Sequence, residues 1–299
     1  QRVSWWASGL SIFATMLSSI TFVAMPAKVF ASDWTFFIIN MMAIAVAPFV
    51  IYFILPFYRR IDATSAYEYL EKRFNVSVRL FASVSFVMFH VGRMAIVLFL
   101  PALALTAITP LSVPQCILLM GVLSVIYCTM GGLEAVIWTE AMQAIVLLGG
   151  ALLSLCIIVL QIPGGIENTL SLAIADNKFH FINWDFSTSS YMTDAFWVLV
   201  IGGIGQNLVP YVSDQAVVQR YFSVPDMKSA KKSIWTNAIT VFPATLLFFG
   251  LGTALFVFYK THPDCIDPTF QNDAIFPLFI SRELPIGIAG IVVAGIFAA

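Results

Sequence analysis

Charge is what this sequence has least of. Of its 299 residues, 15 are Lys or Arg and 16 are Asp or Glu, a tenth of the chain, against about a quarter in an ordinary soluble domain. A net charge of -1 provides no basic surface for a nucleic acid. Histidine is nearly missing, with three residues, and the four cysteines, Cys116, Cys128, Cys156 and Cys265, lie far apart from one another with no CxxC. That excludes the common zinc arrangements and leaves the cysteines as packing residues. There is no HExxH, no GxSxG and no P-loop, so no motif points to an enzyme.

What fills the chain instead is hydrophobic sequence, 60% of all residues. The long apolar runs have no polar face over about 20 residues, which suits lipid and not the surface of a soluble helical protein. The expected class is therefore an all-α, polytopic membrane protein. Spans are predicted at about residues 5–30, 34–57, 79–108, 112–129, 137–162, 194–213 and 234–258, with an eighth starting near Pro285 and running into the end of the sequence. The chain starts at Gln1 and ends inside an apolar run, so it reads as a piece of a longer protein with about seven and a half spans.

The basic residues orient these spans. Arg2, Arg59, Arg60, Lys72, Arg73, Arg79, Arg220, Lys228, Lys231 and Lys232 fall on one side; Lys28, Lys178, Lys260 and Arg282 fall on the other. Ten against four places the first group in the cytoplasm. Residues 163–193 then form an outer loop, as does the stretch after the seventh span.

That sorting leaves one cation, Arg93, in "FHVGRMAIVLFLPALAL". It stands about 20 Å by helical rise from either end of its span, beyond snorkelling reach. Either it is half of a structural ion pair or it faces a cavity and receives an anion, for which its planar fork suits a carboxylate. Glu140 is the one acid candidate inside the membrane, and it looks too distant to pair with Arg93 directly. His90 reads as a neutral, hydrogen-bonded helix-contact residue, Asp214 with Arg220 as a cytoplasmic helix-end pair, and Gly131 with Gly132 as a turn. Two spans look interrupted, the first by Thr15, Ser18, Ser19 and Thr21, the sixth by the glycines, Gln206, Asn207 and Pro210 of "VIGGIGQNLVPYVSDQ". Small and hydroxyl residues also serve plain helix packing. As a pair, such breaks are what secondary transporters use to build a midplane binding site.

Three stretches, "ATSAYEYLEKRF" at 63–74, "MGGLEAVIWTEAMQ" at 130–143 and "SDQAVVQRYFS" at 213–223, together resemble the sodium/solute symporters over the whole chain. The resemblance implies the five-plus-five inverted-repeat fold, with the first repeat over residues 1–162, an outer loop at 163–193 and the opening of the second repeat over 194–299. It implies sodium at the broken first helix, held by the carbonyls of Ala14 and Leu17 and by Ala299. The arginine in the third span resembles the bacterial sodium/sialic-acid symporters most, which implies a substrate site of Ser18, Thr21, Phe36, Asn40 and Arg93. Asn40 falls where a glutamine is expected. Glu140 matches the position of an acid at a second sodium site, where aspartate is usual. The function so implied is symport of sodium with a carboxylated sugar, sialic acid first, in a bacterial inner membrane. The alternatives are a monocarboxylate or hexuronate as substrate, or a symporter-like sensor domain of a signalling protein.

Overall fold

Lipid offers no hydrogen bonds, so a chain this apolar must satisfy its backbone within itself, and helices do that segment by segment. The computed structural model describes residues 3–17, 19–60, 65–106, 110–184, 194–265 and 275–298, and these contain helices and no strand. Ser18 and Ala299, both expected at the site, lie outside the described residues.

The first predicted span is two helices, α1 (Trp5–Met16) and α2 (Ser19–Ala31), bent by 58° at the break. Leu17 leaves the helix with φ -87° and ψ 109°. The second span is α3 (Phe37–Phe49), a π-helical turn at Val50–Ile54 just after Pro48, and α4 (Leu55–Arg60). A proline that cannot donate its backbone N–H makes such a local change of helical register understandable. A short α5 (Ala66–Arg73) precedes α6 (Val76–Thr106), which carries Arg93.

The fourth and fifth predicted spans are two arms of α7 (Val113–Gln161), divided at Gly132 with φ 61° and ψ -166°. Only glycine adopts that conformation cheaply, which bears out the turn read at Gly131 and Gly132. The first arm, from Val113 to the kink at Gly132, covers the span expected at 112–129. The outer loop forms α8 (Gly165–Ala175), followed by α9 (Phe196–Ser213), α10 (Gln215–Ser223), α11 (Met227–Thr261), α12 (Ile275–Arg282) and α13 (Ile286–Ala298). Among the described residues, five helices are long and apolar enough to cross a membrane, or six if α1 and α2 count as one span.

The interruption expected in the sixth span is not found. α9 is continuous from Phe196 to Ser213, and the chain leaves the helix only at Asp214. Its small residues serve packing: a methyl on Gly203 would come within 3.1 Å of the Ile39 Cα, so α9 lies against α3 at backbone distance. Asn207 adds a cross-helix bond from Nδ2 to the Ile39 carbonyl at 3.0 Å, while also bonding the Gly203 carbonyl of its own helix at 2.8 Å. The small-residue pattern was a contact surface, as it often is between membrane helices.

α11 sits at the centre, with 61% of its apolar window buried, whereas none of the window of α6 is. Both halves of the broken helix pack on α11. The two predicted sides of the membrane are also coherent. Arg59 donates to the Val224 carbonyl at 2.9 Å, joining the two basic connections, and Lys260 pairs with Asp176 at 2.5 Å on the opposite side.

Candidate functional site

A helix that stops in mid-membrane leaves carbonyl groups without intrahelical donors, and they attract cations. At the end of α1 the Leu17 amide takes the Phe13 carbonyl at 2.7 Å. The Thr15 carbonyl is taken by Arg93, whose Nη2 donates to it at 3.0 Å from the neighbouring α6. The isolated arginine therefore has an internal partner, and that partner is a backbone carbonyl at the break. A carbonyl carries no full charge, so the guanidinium keeps its capacity to meet an anion.

Beside this contact lies a cavity of about 400 Å³ bounded by α1, α2, α3, α6, α9, the α9–α10 corner and α11. The volume lies within the roughly 300–1,000 Å³ usual for small-molecule sites. Its polar lining includes Thr21, Asn40, Arg93, Gln206, Asn207 and Asp214, and aromatic walls come from Phe13, Phe89 and Phe248. Three of the five expected substrate residues, Thr21, Asn40 and Arg93, are thus brought together with Leu17. Phe36 is not among the described lining residues; its ring lies 4.3 Å beneath the Lys28 ammonium at the start of α3. Sequence reasoning missed Gln206 and Asp214 as cavity residues. The polar cluster in "GQNLVPYVSDQ" was the available signal, but it was read as a helix break.

A second cavity, of about 460 Å³, opens on the other side of Arg93 and Thr15 and reaches Ala14, His90, Glu140 and Arg220. Its charges are arranged differently from the sequence expectation. Arg220 does not pair with Asp214; its Nη2 meets Glu140 Oε2 at 2.5 Å, its Nε donates to Ser11 Oγ at 2.6 Å, and Nη1 is held by the Ala216 carbonyl. The helix α10 starts with Asp214 as its N-cap, accepting from the Ala216 amide at 2.8 Å, and one turn later Arg220 points inward toward α1 and α7, away from its own cap. Asp214 faces His90, with 3.5 Å between Nε2 and Oδ1. His90 is a helix-contact residue as expected, packed on Phe86 at 4.2 Å, but its Nε2 makes no hydrogen bond among the described residues. Outside the membrane, burial together with the Asp214 charge and Tyr58 pushes the Tyr67 hydroxyl on α5 up to about 12.

A broken membrane helix, an intramembrane arginine at the break and a polar cavity between them define a polytopic helical membrane protein with a small-molecule cavity at a helix break. The comparisons agree and are more specific. The profile of the sodium:solute symporter family matches residues 1–299, and the chain belongs to that family. It is 45% identical over 299 residues to the sodium/sialic acid symporter SiaT of Proteus mirabilis, covering 100% of this chain and 60% of that one. It is 41% identical over 301 residues to the sodium/sialic acid symporter NanT of Aliivibrio fischeri, again with 100% of this chain and 59% of the relative. A solved structure of a sodium-coupled sialic acid symporter in a substrate-bound outward-open state superposes with a TM-score of 0.92 at 44% identity, over 99% of this chain and 62% of that one. The chain thus spans about three-fifths of the length of these relatives. They are transporters and not enzymes, and this chain is, like them, a multi-pass integral membrane protein.

Proposed function

We propose that this chain forms the first part of a sodium-coupled symporter that carries a carboxylated sugar, sialic acid first, across a bacterial inner membrane. The observation that carries the proposal is Arg93: a fixed guanidinium on the wall of a cavity sized for a small molecule, tied to the break in the first helix. Its fork matches a carboxylate, and Thr21, Asn40 and Gln206 supply the polar groups that a hydroxylated sugar needs and a short monocarboxylate would leave idle. Residues 1–162 are the first repeat and 194–299 the start of the second, joined by the outer loop at 163–193.

Sodium enters as co-substrate at the break. Ala14 and Leu17 offer carbonyls there, and Ala299, which follows α13 in the sequence, is the proposed further ligand. Arg93 already donates to the Thr15 carbonyl beside them, so ion and arginine organise one short stretch of backbone. Each ligand stabilises the same arrangement of that stretch, so sodium tightens substrate binding and substrate tightens sodium binding by the same factor. Ser18 sits at this break in the sequence and is proposed as a substrate ligand.

The test is sialic acid uptake by the full-length protein in proteoliposomes. Uptake is expected to need an inward sodium gradient and to fall at least about tenfold in Arg93→Lys, because an ammonium cannot replace a bidentate fork. Uptake at full rate in sodium-free buffer, or unchanged in Arg93→Lys, ends the proposal. Competition by an excess of lactate or a hexuronate that abolishes sialic acid uptake would move the substrate to another organic acid.

A further inference from the structure

Resemblance alone gives Glu140 to a second sodium ion. The structure brings a different cation to it. Glu140 Oε2 accepts from Arg220 Nη2 and from the Ser11 hydroxyl, and the same hydroxyl accepts from Arg220 Nε, so the three groups close on one another. The Arg220 side chain is 4% exposed. Its remaining terminal nitrogen is held by the Ala216 carbonyl, and its own backbone carbonyl is held by the hydroxyls of Ser223 at 2.9 Å and Ser8 at 3.4 Å. A guanidinium held by this many partners cannot swing away to admit a competitor. A sodium ion on the same carboxylate would stand a few ångströms from a fixed positive charge in a medium that screens poorly.

We infer that Glu140 is not a sodium ligand in this protein: Arg220 supplies the cation at that carboxylate permanently. The pair, with Ser11, is a clamp joining α1, α7 and α10 on the cytoplasmic side of the cavity. Arg220 is a positioning residue. It holds the inner half of the broken helix, whose carbonyls at 14 and 17 are the proposed sodium ligands, against two neighbouring elements. Sodium coupling then runs through the site at the break alone. The inference rests on the sodium-coupled reading, since it states which carboxylate the ion does not use.

Two measurements on the full-length protein in detergent test it, and neither depends on uptake. In the first, melting temperature is followed against sodium chloride, with choline chloride holding ionic strength constant, for the natural protein and for Glu140→Gln/Arg220→Met. The double variant removes both charges and so avoids a stranded one. The sodium-induced shift is expected to keep its size and a binding exponent near 1 in both proteins. An exponent that falls from near 2 to near 1 in the double variant overturns the inference. No sodium response in the natural protein would instead count against sodium coupling itself.

The second measurement keeps the clamp testable in that case. In choline alone, Glu140→Gln is expected to melt roughly 5 °C or more below the natural protein, because it strands a buried guanidinium, and the double variant to regain most of that loss. If Glu140→Gln lowers the melting temperature only when sodium is present, the carboxylate serves the ion and the clamp is wrong.

Discussion

The two halves of the broken first helix are held by different chemistry. The inner half, α1, is pinned by polar contacts: Ser11 to Glu140 and Arg220, the Thr15 carbonyl to Arg93, the Trp5 carbonyl to Ser233 at 2.9 Å. The outer half, α2, is seated by rings along its length, with Lys178 closing its far end. Phe22 meets Phe248 edge-on at 5.6 Å and Phe276 at 5.1 Å, all three fully buried, and Trp34 nearby joins Phe37, Phe179 and Phe249. Aromatic packing tolerates sliding, whereas a three-way hydrogen-bonded cluster either forms or does not. The inner half is thus suited to two discrete positions and the outer half to graded adjustment around a ligand.

The difference can be broken from either side. Phe248→Ala removes the α11 ring that Phe22 packs against and is expected to cost about 3–5 kcal/mol in detergent, while Phe248→Leu keeps most of the volume and costs less than about 1.5 kcal/mol. Ser11→Ala changes almost no volume. It should still cost about 1–3 kcal/mol, because it leaves an Arg220 N–H buried without an acceptor. Melting curves check all three, and a Ser11→Ala protein as stable as the natural one would erase the contrast.

A smaller effect probes what the halves share. Each touches α11 at a glycine: a methyl on Gly9 would come within 2.7 Å of the Ser233 carbonyl, and one on Gly252 within 2.5 Å of the Pro26 carbonyl. Both clashes are with backbone, so Gly9→Ala and Gly252→Ala must push the half-helix off α11, at about 1–3 kcal/mol each. If the inner half is the two-position element, Gly9→Ala alone should also disturb the Ser11 cluster, and combining it with Ser11→Ala should cost less than the sum.

Much of this was legible before any coordinates. The spans follow from long apolar runs, the sidedness from fourteen basic residues sorted ten and four, and the kink from Gly131 and Gly132, because each is a local property of the chain. The break in the first helix was legible for the same reason. The misread break in the sixth span shows the limit: glycines that let α9 approach α3 look in sequence like glycines that interrupt a helix, and only the position of Ile39 separates the two. The same limit hid the partner of Glu140. Arg220 lies 80 residues away and six after Asp214, so sequence proximity favoured the wrong acid. Arg93 was recognised as exceptional from depth alone, but its partner, a backbone carbonyl, has no signature in the sequence.

The faintest expected effect separates the two membrane faces by pH. On the outer face, Lys178 donates to the carbonyls of Phe30 at 2.8 Å and Ser32 at 2.6 Å, closing the end of α2, and burial holds its pKa below the ordinary 10.5 despite Asp33 and Asp176 nearby. Below the folded value both states carry the proton and the cost of burying the ammonium is complete. Between that value and 10.5 the folded protein releases a proton that the unfolded chain keeps, so this contribution to stability rises with pH. On the inner face, Asp226 caps α11 through the Ser229 amide at 2.6 Å, and that bond holds its carboxyl below the ordinary 3.8. Its contribution is present above 3.8 and is lost as pH falls through the lower folded value. Melting curves of Lys178→Met and Asp226→Asn should therefore depart from the natural protein's pH dependence at opposite ends of the scale, the first in alkali and the second in acid. A natural protein whose stability, relative to Lys178→Met, fell instead of rising through the alkaline range would mean that Asp33 and Asp176, and not burial, govern that lysine.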